Sequence, residues 1–313
     1  YCWAFKYKIF ELSVVLRIRL MMLIKKNILF VLVMMISLGA VAQRTTDIDS
    51  LSSPIKKLHK KGDFYFTWGY NHSCYNKSDI HFVGPGYDFT LHDVVAKDRP
   101  TPLSISYIDP QWISTPQFNF RIGYFINDKY CLSIGWDHMK YVIDVPQRVS
   151  ISGNIGNTIS DPPISTNVGS GNYAGTYNGN SFEIQPDFLV FEHTDGLNIA
   201  TVDLERYDLL WQSKKNPKLG LSVVTGLGVG PVIPRSDVHF FGVGANHPWN
   251  LSGYGGLAKV GLNFDILRWL FFRTDLKVGY ISLSKIPTTG RSVDVAKQNI
   301  VFYENSWLLG FKF

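Results

Sequence analysis

Seven charged residues, Arg121, Asp137, Lys259, Asp265, Arg273, Asp275 and Lys277, stand at alternate positions in otherwise apolar or glycine-rich segments. Opposite charges spaced this way on extended chain can pair as buried ions, or they can line a path for small ions and solutes. A second chemistry is suggested where histidine stands by aspartate: Asp79 and His81, His92-Asp93, Asp137-His138, and His193 and Asp195. Such a pair is the base and orienting carboxylate of a nucleophilic triad. Neighbours on a strand point to opposite faces, so Asp137 and His138 cannot bond without a bulge. The other pairs fall in expected loops or rims, and no serine stands at a defined spacing from them. The histidines form no HxH or HxxxH pair, so neither a metal nor another cofactor is expected. Gly226-Leu-Gly-Val-Gly230 lacks a following Lys-Ser/Thr; glycine at every second position is a strand face against a crowded interior.

The elements that must position these residues are strands. Apolar residues recur with period two, as in Phe64, Phe66, Trp68 and Tyr70 against Tyr65, Thr67, Gly69 and Asn71. The same alternation runs through Phe118–Tyr124, Leu132–Trp136, Leu219–Val229, Ala258–Ile266, Leu270–Tyr280 and Trp307–Phe313. A soluble sandwich would also alternate. Three features favour a transmembrane barrel: a polar face rich in Gly and Ser, an alternation of short and long connections, and aromatics near strand ends. The short turns are Asn127–Lys129, Lys214–Pro217 and Leu267–Trp269; the long outer loops are 147–197, 235–250 and 285–298. The girdle aromatics are Trp68, Tyr124, Tyr141, Trp211, Trp249, Trp269 and Tyr280.

Before the strands, Lys25 and Lys26 precede an apolar run, Ile28–Leu38, and Ala40-Val41-Ala42, which reads as a secretory signal cleaved before Gln43. Residues 1–20 read as translated sequence upstream of the true start, so 1–42 is extension plus signal. Residues 43–62 follow as an exposed periplasmic segment, and 63–313 as the barrel. The chain carries +6 overall, but 1–42 holds six basic residues against Glu11, which leaves a net of +1. Nucleic acid is therefore not an expected partner. Beyond residue 42 only Cys74 and Cys131 remain, and a barrel wall between them would exceed the ~7 Å Cα limit for a disulfide.

The fold expected is all-β: an antiparallel up-and-down transmembrane barrel of eight strands with long extracellular loops. The strands are 63–72, 116–127, 129–145, 198–213, 217–234, 251–266, 269–284 and 299–313, with 73–115 a long first outer loop. A ten-stranded alternative adds 87–95 and 101–108 and would turn Asp93 toward lipid. Gly169–Asn180 (GSGNYAGTYNGN) reads as an exposed loop, either a spacer or a surface that meets carbohydrate or host through Tyr173 and Tyr177.

Val301–Phe313, alternating aromatics and aliphatics up to Phe313, resembles the C-terminal β-signal of outer-membrane proteins. The resemblance implies recognition by the barrel-assembly machinery. In composition and layout the rest is similar to a small Bacteroidetes-type outer-membrane barrel of the OmpA-like size class. That implies a Gram-negative outer-membrane location, surrounding lipid as partner, and a monomer.

Three-residue turns then set the register. Arg121 faces Gly135 and Asn119 faces Asp137, which makes Arg121 and Asp137 diagonal neighbours. Asn263 faces Arg273, with Asp265 diagonal to Arg273 and Lys259 diagonal to Asp275. Arg206, Asp208, Glu304 and Lys312 join the set. An eight-stranded lumen is just wide enough for side chains, so the charges read as filling. The function expected is non-enzymatic: structural, surface-binding or loop-presenting, for a surface ligand the sequence leaves open. A porin-like narrow channel for small solutes and a lipid- or peptide-modifying barrel enzyme are the alternatives.

Overall fold

The computed structural model describes residues 57–102, 104–112 and 115–313. The leader, its cleavage site and most of 43–62 lie outside the described residues. Eight antiparallel strands form a closed ring: β1 (Phe64–Tyr75), β2 (Phe118–Phe125), β3 (Tyr130–Ile143), β4 (Leu189–Gln212), β5 (Gly220–Val232), β6 (Gly253–Asp265), β7 (Leu270–Pro287) and β8 (Val295–Lys312). Each pairs with the next, and β8 pairs with β1, Tyr65 facing Lys312 and Tyr75 facing Phe302. The closed ring removes edges that lipid could not satisfy. The ten-stranded alternative is not the one adopted.

Sequence chemistry makes the short turns. Asn127 Oδ1 accepts the backbone N–H of Lys129 and of Tyr130, each at 2.9 Å, an Asx turn that needs no further residue. The resulting register pairs Asn119 with Asp137 and Arg121 with Gly135, and across the next short turn Asn263 with Arg273. Apolar side chains consequently face out: Ile134, Leu227, Val229 and Leu276 are all more than half exposed. On β8 the outward positions from Tyr303 to Phe313 are apolar except Asn305. At about 3.3 Å per residue and a tilt near 40°, that belt is about 25 Å tall, the thickness of an outer-membrane apolar band. Trp211 and Trp269 stand exposed at one end, Trp249 and Tyr280 at the other. Tyr141, expected in the girdle, is instead wholly buried inside.

The expected outer loops are built sheet. Ser78–Gly84 adds to the upper end of β8, Val295 facing Val83. It pairs with Tyr87–Val94, which pairs with Gln147–Ile155, which pairs with Gly175–Ile184. The first hairpin turns at Pro85-Gly86, where Gly86 has φ +79° and a Cβ would lie 2.5 Å from the Thr158 carbonyl oxygen. Glycine is therefore the residue that fits. Opposite, β4 begins at Leu189, nine residues earlier than the alternation suggested, and Leu189–Glu192 pairs with Asp237–Phe240. Between these sheets Phe82, Phe89, Phe188, Phe191 and Phe240 form an apolar core, continuous with Ile281, Ile300 and Phe302 in the upper lumen. Tyr173 belongs to this core, 5.0 Å from Phe188 and 8% exposed, so it is no surface-binding tyrosine. Tyr177 is half-buried, its hydroxyl bonded to the Tyr173 carbonyl at 2.8 Å. Cys74 is exposed and Cys131 buried, both free.

His193 sits within the cap, fully buried, its Nδ1 2.8 Å from Ser236 Oγ. Burial alone lowers its pKa from the ordinary value to about 3. The folded imidazole stays neutral while an unfolded one takes a proton below about pH 6.5, so stability falls with acidification. The loss begins near pH 6.5, runs toward pH 3 at up to about 1.4 kcal/mol per unit, and is absent above. Hydrogen exchange of the cap across this range should show that slope in the parent and a shallower one in His193→Gln. Equal slopes would contradict it.

Candidate functional site

Inward positions of the ring carry five cations and six carboxylates within the belt, in stacked levels. At the mouth where β1 begins and β8 ends, Lys312 Nζ donates to Asp265 at 2.6 Å and to the Leu58 carbonyl at 3.3 Å. His59 enters the mouth and stacks on Phe125 at 4.5 Å, only 6% exposed, so this end of the expected periplasmic tether acts as a stopper. Burial first, and then the Lys312 ammonium, hold its imidazole neutral, so its 3.8 Å approach to Asp265 is not an ion pair.

Above the mouth, Glu205 is the hub. Its carboxylate accepts from Arg273 Nη2 at 3.1 Å, from the Tyr65 and Tyr207 hydroxyls at 2.6 and 3.1 Å, and from Lys259 Nζ. Arg273 Nε donates to Asp275 at 2.8 Å, and Lys259 also reaches Asp203 at 2.5 Å. One level higher, Arg121 pairs with Asp203 at 2.8 Å and more loosely with Asp137 at 3.8 Å. Lys277 bridges Asp137 and Glu304, both at 2.7 Å. Such partners offset the cost of burying ions only when all are present.

The facing glycines are the sockets for these side chains. A Cβ on Gly135 would lie 2.4 Å from the Arg121 guanidinium carbon, and one on Gly261 1.9 Å from Asp275 Oδ1. The gap bounded by Arg121, Asp137, Asp275 and Lys277 is too tight to admit a water molecule.

The structure thus brings together Arg121, Asp137, Lys259, Arg273, Asp275 and Lys277, while Asp265 belongs to the mouth with Lys312. The expected pairing of Arg273 with Asp265 is replaced by Glu205 and Asp275. Across a narrow lumen the opposite wall is as near as the diagonal neighbour, so long side chains reach across it. Arg206 and Asp208 are outside, paired with each other at 2.8 Å on the rim. Sequence reasoning missed Asp203, Glu205 and the phenols of Tyr65 and Tyr207. The signal was present: Val202 and Leu204 are half exposed and alternate with Asp203 and Glu205, a parity that sends Arg206 and Asp208 outward.

Outside the membrane, the solvent face of the cap sheet holds a second arrangement. His92 Nδ1 lies 3.0 Å from Asp79, and its Nε2 lies 2.7 Å from Ser152 Oγ. His81 pairs with Asp88 at 2.7 Å. The aspartates thus partner other histidines than sequence proximity suggested, because registry between strands brings residues 13 and 60 apart to His92. Acid, imidazole and hydroxyl stand in triad order. Ser152, however, lies mid-strand between Thr90 and Asn178, where backbone N–H groups serve the ladder. Among the described residues no three His, Cys, Asp or Glu side chains are grouped to hold a metal ion.

No protein-family model matches the chain, and no curated protein matches it. Among solved structures it is similar to the outer-membrane protein OprG from Pseudomonas aeruginosa, with TM-score 0.39 and 12% identity over 82% of this chain and 97% of that one. It is also similar to the N-terminal β-barrel domain of Pseudomonas aeruginosa OprF, at 0.31 and 10% over 82% and 100%. Neisserial surface protein A gives 0.31 and 11% over 81% and 100%. At these values no role carries over to this chain.

Arg273→Ala should destabilise the folded barrel in lipid by roughly 3 kcal/mol, because Glu205 and Asp275 lose a buried partner. Arg206→Ala should cost under about 1 kcal/mol, as its pair is exposed on the rim. Urea unfolding in vesicles measures both; equal small losses would mean a water-filled lumen.

Proposed function

We propose that this chain is a non-enzymatic, monomeric outer-membrane barrel whose role is to hold an ordered surface-binding cap outside the cell. The observation that carries this reading is closure at three successive levels: the His59 stopper, the Glu205 ion network and the aromatic cap core. A solute path would have to break all three. Arg121, Asp137, Lys259, Asp265, Arg273, Asp275 and Lys277 then serve stability, and the surface for a ligand is the polar face bearing Asp79, His81, His92 and Ser152. Assembly would proceed through the barrel-assembly machinery recognising the alternation Val301–Phe313.

The channel reading makes the opposite demand on the lumen. Purified protein in planar bilayers should give no steady conductance; stable single-channel steps in the parent protein would promote the channel instead.

A hydrolase is the second reading, favoured by the Asp79–His92–Ser152 line. Against it stands the seat of Ser152 in the middle of a strand, paired on both sides with Thr90 and Asn178, away from a helix N-terminus or turn that would aim several N–H groups at one point. A fluorophosphonate probe should leave the folded protein unlabelled. Labelling abolished by Ser152→Ala would make Ser152 a nucleophile and overturn the non-enzymatic reading.

A further inference from the structure

We propose that residues 104–112 form an anchor that inserts into the outer leaflet beside β1. This stretch folds back onto the outward face of the barrel. Tyr107 packs on Tyr70 with ring centroids 4.7 Å apart, and the Tyr70 hydroxyl donates to the Tyr107 carbonyl. Tyr70 lies on the same face as Phe66 and Trp68, and pairs in register with Trp307 and Phe118, so the contact is at the height of the apolar belt.

The segment leaves three large apolar side chains uncovered, with Ser104, Pro110 and Gln111 exposed beside them. A single turn of 3-10 helix, Ile105–Tyr107, buries none of its residues. Ile105 is 67% exposed, Ile108 73% and Trp112 57%. Three large apolar side chains facing water on one short loop would be unfavourable. Facing lipid, they continue the belt that Trp68 and Trp307 begin, and tryptophan suits the interface.

The segment is also held in place from above, which an unattached loop would not be. The Tyr107 hydroxyl donates to the Thr101 carbonyl at 2.7 Å, and Lys140 Nζ donates to Thr101 Oγ1 at 3.0 Å. Lys140 lies on the outward face of β3, above Trp136, where the headgroups begin. Beside it Asp98 accepts from the Ser73 backbone N–H at 3.0 Å and from Gln117 Nε2 at 2.6 Å, fixing both ends of the excursion to β1 and β2. Near this level Lys97 pairs with Asp144 and Arg99 with Glu192, and residues 104–112 themselves carry no Lys or Arg, so the recognised chemistry is an acyl-chain interface and not an anionic headgroup.

The test uses the folded full chain in phosphatidylcholine vesicles, some of whose lipid is brominated near the headgroup end of the acyl chains. The Trp112 signal is the difference in emission between the parent and Trp112→Phe, and Trp249→Phe gives a girdle reference. Trp112 should be quenched by the bromolipid as strongly as Trp249 and should be shielded from aqueous iodide. Ile108→Asp should reduce the lipid quenching and admit iodide, with the heat-modifiable folded fraction unchanged. Iodide quenching of Trp112 in the parent would overturn the proposal. So would protection from both quenchers, which would put a second protein copy on this face.

Discussion

Glu205 is the constraint around which the barrel interior is organised. It projects from β4 into a lumen without access to water, and an unpaired carboxylate there would cost several kcal/mol. Arg273 from β7, Lys259 from β6, Tyr65 from β1 and Tyr207 from β4 itself meet it. Strands that are not neighbours in the ring are thereby tied across the lumen, which ladder hydrogen bonds alone cannot do. Each partner brings its own requirement: Arg273 needs Asp275, Lys259 needs Asp203, and Asp203 brings Arg121. The glycine-rich stretch 226–230 follows from the same crowding, since a Cβ on Gly228 would lie 2.4 Å from Asp203 Oδ1.

Above the ion network the lumen changes solvent. Met139, Leu197, Ile199, Ile281 and Phe302 continue upward into the aromatic core of the cap, and the polar groups among them, Ser78, Tyr141 and Gln298, are hydrogen-bonded to one another. The cap is therefore an extension of the barrel interior, and its sheets grow from the same strands, β4, β7 and β8, that form the wall. A rigid outer surface results, because its fold shares the core that closes the pore. Presentation of a surface and exclusion of solutes become two consequences of one packing arrangement.

Much of the wall was legible in the sequence, because side-chain parity and two three-residue turns leave little freedom. The pairs Arg121–Gly135 and Asn263–Arg273 follow from counting. What counting along a hairpin cannot supply is the opposite wall, and so the partners of Arg273 and Lys259 were not legible. The parity of β4 is legible through Val202 and Leu204 and turns Arg206 and Asp208 outward, whereas charge alone points them to the lumen; at the rim, charge also faces out. The cap was hidden for a different reason. Period-two alternation in Ser78–Gly84 and Tyr87–Val94 says that one face is buried and is silent on which sheet buries it. The polar stretch around Tyr173 hides two aromatics whose partners, Phe182 and Phe188, lie several residues further on.

The central claim is that Glu205 and Arg273 act as one unit across a dry lumen. A double-mutant cycle of Glu205→Gln and Arg273→Met, read by urea unfolding in lipid vesicles, measures their coupling directly. A dry lumen gives a coupling of about 2 kcal/mol or more, with the double variant more stable than the sum of the single losses. A coupling below about 0.5 kcal/mol would mean solvent screens the pair, and the closed-lumen description would be contradicted.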